Sequence, residues 1–102
     1  MRIITRKRLR EFAKLYPDAA DSLQKWHDVV HEAQWENLQD VRRVFPHADA
    51  VTVASGNTVT VFNIRGNKYR LIVAIHYNTQ RVYVLRFLTH ADYSRDFWKG
   101  DL

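Results

Sequence analysis

Arg70, His90 and Tyr93 are the side chains of this sequence whose types and spacing suit the cleavage of a phosphodiester without a metal. RNA can be cut by its own 2′-hydroxyl when a group accepts that proton, a group protonates the leaving oxygen, and cations balance the charge that builds up around phosphorus. Arg70 fits the last role, because a guanidinium holds two phosphate oxygens at once and keeps its charge. His90 fits proton transfer, since imidazole is the side chain whose ordinary titration lies near neutrality, and nearby arginines favour its neutral form. Tyr93, three residues on, shares a helical face with His90 and can stack on a base or hydrogen-bond a phosphate. Each also has a structural reading: a surface strand arginine, a packed histidine, and a tyrosine seating the last helix.

These residues need elements that bring them together. Arg2 to Thr5 reads as a short strand, with Thr5 placed to cap a helix that carries Leu9, Phe12, Ala13 and Tyr16 on one face and stops at Pro17. Ala19, Leu23, Trp26, Val30 and Ala33 form the buried stripe of a second helix. Asn37 with Asp40 caps a short third one bearing Leu38, Val41 and Val44, ended by Phe45-Pro46.

After Asp49 the pattern turns to strands: Val51 to Ala54, Thr58 to Ile64, Lys68 to Tyr77 and Val82 to Thr89, an antiparallel meander. Gly66-Asn67 suits a tight turn because both residues tolerate positive φ. A last short helix starts near His90 and fades by Lys99. The fold class is therefore α+β, with N-terminal helices packed on one face of a mainly antiparallel sheet and the other face partly open. Strict alternation sets Tyr69, Leu71, Val73, Ile75 and Tyr77 on one face and Arg70 with His76 on the other. In the last strand it sets Tyr83, Leu85 and Phe87 against Val84, Arg86, Leu88 and His90. A bulge or an odd-length loop gathers Arg70, Arg86 and His90 on the open face, and the cost of burying an unpaired arginine favours that register. Arg70 and His90 are then both partly exposed and meet at one phosphodiester.

At 102 residues the chain makes one domain, residues 1 to 102. The absence of cysteine excludes disulfides and thiolate metal sites. No apolar run has the length of a signal peptide core or a membrane span, which points to a soluble cytoplasmic protein. The net charge of +5 is uneven: residues 1 to 16 hold six basic side chains against one acidic, residues 17 to 64 three against seven, and residues 65 to 102 seven against three. Basic ends around an acidic middle give a cationic side that attracts phosphate or an acidic partner, unless the charges simply solvate the surface.

Phe62 to Leu71, FNIRGNKYRL, and Leu88 to Tyr93, LTHADY, resemble the HigB-type messenger-RNA-cleaving toxins of bacterial toxin–antitoxin systems, a branch of the RelE/ParE superfamily. The likeness runs from Ile3 to about Trp98 and includes the MRII start, the Tyr16-Pro17 joint and the VFP ending at Pro46. It implies a RelE-like fold and a catalytic centre at Arg70 and His90, assisted by Tyr93 and Lys68. Asn63 and Asn67 support that centre, and Arg65, Arg86, Thr89 and Arg95 complete the RNA-contacting set. It further implies messenger RNA cut on the ribosome without a metal or other cofactor, and a cognate antitoxin, usually a helix-turn-helix protein that binds operator DNA. Asp92 stands where the family often has glutamate, and Ser94-Arg95 where it often has aspartate-lysine, so the last helix is to be anchored without the family's aspartate.

Two other classes compete. A superfamily member that inhibits a protein such as DNA gyrase by binding alone generally lacks the arginine and histidine pair. A plain RNA- or ribosome-binding module fits the charge but not THADY. HDVVH, His27 to His31, spaces two imidazoles as a zinc hydrolase motif does, yet aspartate is short for the base and only His47 offers a third ligand.

Overall fold

Helical periodicity in the first half and strand alternation in the second meet as two layers in a computed structural model that describes residues 1–102. β1 (Arg2–Ile4) leads to α1 (Arg6–Leu15), a 3₁₀ turn at Pro17–Ala19, α2 (Ala20–Glu32) and α3 (Leu38–Val44). β2 (Asp49–Thr52), β3 (Thr58–Ile64), β4 (Tyr69–His76) and β5 (Arg81–Thr89) follow, then α4 (His90–Ser94) and α5 (Trp98–Asp101). The sheet order is β1-β5-β4-β3-β2, antiparallel except where β1 runs parallel to β5. No helix is long and apolar enough to cross a membrane.

The stripe on α2 is buried as its spacing requires, with Leu23, Trp26 and Val30 inside. They pack with Ile3 and Leu9 against Phe62, Leu71, Val73 and Val82 on one sheet face. Burying each such side chain contributes roughly 1.5–3 kcal/mol before ordering costs. Trp35 joins this core against Phe45 and Phe62. Asn37 caps α3, accepting from the Asp40 amide at 3.0 Å.

A bulge sets which residues share a face. Ile72 pairs with Arg86 and Val73 with Val84, so Leu85 is an extra residue in β5. Two residues from the N-terminal segment hold it in place. The Thr5 hydroxyl accepts from the Val84 amide at 3.1 Å, and an Arg8 guanidinium nitrogen donates to the carbonyls of Val84 and Leu85 at 3.2 and 3.0 Å. Val84 therefore joins Phe87 in the helix-side core, whereas unbroken alternation would have set them on opposite faces. Arg86 and Leu88 stay on Arg70's side.

Several expectations are corrected. Thr5 adopts φ 68 and makes no side-chain cap, because its hydroxyl is taken by the bulge. Val44 is exposed. The positive-φ pair of the β3–β4 turn is Arg65 and Gly66, one residue earlier than Gly66-Asn67. The last helix is two short ones, broken at Asp96, whose φ is 63. Most importantly, the second sheet face is largely covered: Val53, Val59, Val61, Ile72 and Trp98 form a second small core. The segment after α4 folds back over that face and sets Trp98 against its apolar part.

Candidate active site

The β3–β4 turn and the β5–α4 junction build one site from both sides of a strand pair. Arg70 pairs with Leu88 on β5 and with Asn63 on β3, so Asn63 lies on the same face. One guanidinium nitrogen of Arg70 donates to the carbonyls of Asn67 and Tyr69, both at 3.1 Å. The other donates to the Asn67 side-chain oxygen and meets His90 Nδ1 at 3.1 Å. Arg70 is only 8% exposed, contrary to the expectation of partial exposure, whereas His90 is exposed. Burial became feasible because turn carbonyls and an amide oxygen replace water around the guanidinium.

None of the ion pairs of the molecule includes Arg70. A buried cation held only by neutral acceptors is costly, and its field is not cancelled by a counter-charge. It is a ready site for an anion.

His90 is oriented by its backbone. Its amide donates to the Lys68 carbonyl at 3.0 Å, and Thr89 caps α4 by accepting from the Asp92 amide at 3.2 Å. Ser94 closes the helix, its hydroxyl donating to the His90 carbonyl at 2.9 Å. The Arg70 guanidinium carbon lies 5.6 Å from the centre of the Tyr93 ring, which stacks in turn on Trp98 at 5.2 Å. Burial pushes the Tyr93 hydroxyl above its ordinary pKa, so the phenol keeps its proton at neutral pH. The Trp98 indole N–H donates to the Tyr93 carbonyl at 3.1 Å, which anchors the last helix without the family's aspartate.

Lys68 and Arg65 are placed elsewhere. Both form ion pairs with Asp18 of the 3₁₀ turn, and the Tyr69 hydroxyl donates to the same carboxylate at 2.8 Å. Arg86 lies on Arg70's face and donates to the Leu85 carbonyl at 2.8 Å; Arg95 is exposed, 4.0 Å from Asp92. The structure thus brings together Arg70, His90, Tyr93, Asn67 and Asn63, and leaves the side chains of Lys68 and Arg65 at Asp18.

Asp18 was invisible to sequence reasoning, since nothing in a lone aspartate after Pro17 marks a partner some fifty residues away. Its hydrogen bond from Lys68, followed by that from Tyr69, lowers its pKa from 3.8 to about 2, and Lys68 is raised in return. A carboxyl depressed on folding stabilises the native state above its unfolded pKa, and that contribution is lost as pH falls through the folded value. The melting temperature of the wild type should therefore exceed that of Asp18→Asn at pH 5 to 7. The gap should close between about pH 4 and pH 2, where thermal melts at stepped pH would show it. A gap that persists unchanged at pH 2 would remove Asp18 as an ionised clamp.

His27 and His31 stack face to face, ring centres 5.8 Å apart. Arg6 lies 3.3 Å from His31 Nδ1 and Asp28 lies 3.2 Å from His27 Nδ1, and no group of three or more His, Asp or Glu side chains gathers anywhere in the molecule. HDVVH is a helix-surface pair.

A small two-layer α+β fold with an arginine and a histidine joined at the end of its last strand defines a RelE-like protein. The sequence model of the HigB toxin family, described as the RelE-like toxic component of a toxin-antitoxin system, matches residues 19–96, and the chain belongs to that family. It is 26% identical over 93 residues to the mRNA interferase toxin HigB of Escherichia coli strain K12, covering 91% of this chain and 88% of that protein. It is 28% identical over 95 residues to the mRNA interferase HigB of Escherichia coli O6:H1 strain CFT073, covering 93% and 90%. The mRNA interferase HigB of Shigella flexneri is 26% identical over 93 residues.

Proposed function

We propose that this toxin is an endoribonuclease that cleaves messenger RNA by attack of the 2′-hydroxyl on the adjacent phosphorus, without a metal ion. The observation that carries this reading is the buried, counter-ion-free Arg70 guanidinium in hydrogen-bond contact with an exposed imidazole. The relatives' names, mRNA interferases, agree with it.

The protonation pattern suggests the sequence of events. Arginine can only donate, so the hydrogen bond to His90 Nδ1 requires a lone pair there, which is the proton-accepting form of the ring. A phosphate entering the site draws the guanidinium to its own oxygens, and the freed imidazole takes the 2′-hydroxyl proton. The O2′–P bond forms, the P–O5′ bond breaks, and the imidazolium returns its proton to O5′. Arg70 stabilises the charge on the phosphoryl oxygens, Tyr93 packs beside it as a neutral phenol, and Asn67 and Asn63 line its approach. Lys68, with Arg65, fixes the turn through Asp18 and adds positive potential.

The substrate is messenger RNA held in the decoding site of the ribosome, which presents the message to a site that itself contacts only a few nucleotides. A cognate antitoxin, a helix-turn-helix operator-binding protein, neutralises the toxin in the cytoplasm. Induction in growing bacteria, with transcriptome-wide mapping of message ends, tests the reading: new internal 5′ ends should appear within minutes. Growth arrest with intact message would assign the toxin to inhibition by binding alone. Cleavage of ribosome-bound message by purified toxin should survive chelation of zinc and other transition metals under conditions that keep ribosomes intact, with rates within about twofold of the untreated reaction. Chelator-sensitive cleavage would revive the histidine pair on α2.

A further inference from the structure

The face that carries Arg70 continues beyond it along the strands. The Ile72–Arg86 pair lies two residues from the Arg70–Leu88 pair, roughly 7 Å away at ordinary strand rise, a distance comparable to the step between neighbouring phosphates of an extended RNA strand. Beside Arg86 is a cavity of about 260 Å³ whose walls include Leu88, Arg95, Phe97 and Trp98. The left-handed backbone at Asp96 turns the chain so that Trp98 enters the second core at 4% exposure while Phe97 projects at 79%. Aspartate is among the residues that tolerate this left-handed conformation, and the turn it makes leaves Phe97 lining the cavity together with Arg86 and Arg95.

We propose that this cavity is a nucleobase subsite for the nucleotide next to the scissile phosphate, with Phe97 stacking on the base and Arg86 binding the phosphate that carries it. The proposal deepens the endoribonuclease reading and rests on it for the identity of the ligand as RNA. Arg86 makes one hydrogen bond, to its neighbour's carbonyl, and keeps further donors free. Asp92 and Asp101 also line the cavity, and they favour an uncharged base over a phosphate inside it. Aromatic stacking accepts any base, so the subsite adds affinity more than sequence choice.

Equilibrium binding of the purified toxin to a 2′-O-methyl RNA decamer tests this, because the blocked 2′-hydroxyl separates binding from cleavage. Phe97→Ala should weaken binding about tenfold at an unchanged melting temperature, Phe97→Trp should restore it to within about twofold, and Arg86→Ala should reduce its salt dependence. Equal affinity of wild type and Phe97→Ala, or no binding by the wild type, would overturn the subsite. So would Phe97→Ala keeping RNA affinity while losing only neutralisation by a co-expressed antitoxin, which would make the ring a protein contact. Phe97-dependent binding by a toxin that leaves cellular message intact would keep the subsite and sink the cleavage reading alone.

Discussion

Arg70→Ala should reduce message cleavage by about 100- to 1,000-fold, the scale at which losing one preorganised donor to a developing oxyanion shows in kcat. It should also be the less innocent of the two central variants. The guanidinium is buried and supplies hydrogen bonds to the Asn67 carbonyl, the Tyr69 carbonyl and the Asn67 side chain. Leaving those acceptors without donors costs about 1–3 kcal/mol, so a lowered melting temperature is expected alongside lost activity. Arg70→Lys separates the two effects. An ammonium keeps the charge in place, yet it lacks the planar fork that meets two carbonyls on one side and two phosphate oxygens on the other. Arg70→Lys should therefore recover much of the stability and little of the cleavage rate. A lysine variant that cuts message at the wild-type rate would mean that bare positive charge, and not the guanidinium geometry, serves the reaction.

The pairing of Arg70 with His90 could be anticipated from strand alternation with a bulge, but the burial of Arg70 could not, because the Asn67 and Tyr69 carbonyls and the Asn67 side chain take the place of solvent around the guanidinium. What alternation lacked was the location of the bulge. Leu85 looks like any other strand residue, and the side chains that mark the bulge include Thr5 and Arg8, nearly eighty residues away, which bind the Val84 amide and the carbonyls of Val84 and Leu85. The same non-locality hid the destination of Lys68. In sequence it stands two residues before Arg70, on the same face by alternation; in space Asp18 takes its ammonium to the helix side. The α2 stripe was legible because Leu23, Trp26 and Val30 at helical spacing can be buried in only one way. The C-terminal segment was not, because the tryptophan that closes the second core is adjacent to a phenylalanine that does not, and a single backbone dihedral at Asp96 decides between them.

His90→Gln should lower cleavage by about 100- to 10,000-fold, the usual range for loss of a positioned proton-transfer group. The accompanying structural change should be small. His90 is exposed, its amide is tied to the Lys68 carbonyl through the backbone, and glutamine can still present an oxygen to the Arg70 guanidinium. Stability should thus stay within about 0.5 kcal/mol of wild type. RNA affinity provides the sharper contrast between the two residues. His90→Gln keeps the buried cation and should bind a 2′-O-methyl decamer as wild type does, while Arg70→Ala should bind it more weakly. A binding-competent, cleavage-dead His90→Gln would place the imidazole in the chemical step. If instead that variant cuts message within about threefold of wild type, no proton passes through His90, and the arginine acts with a partner other than the one it touches in the folded chain.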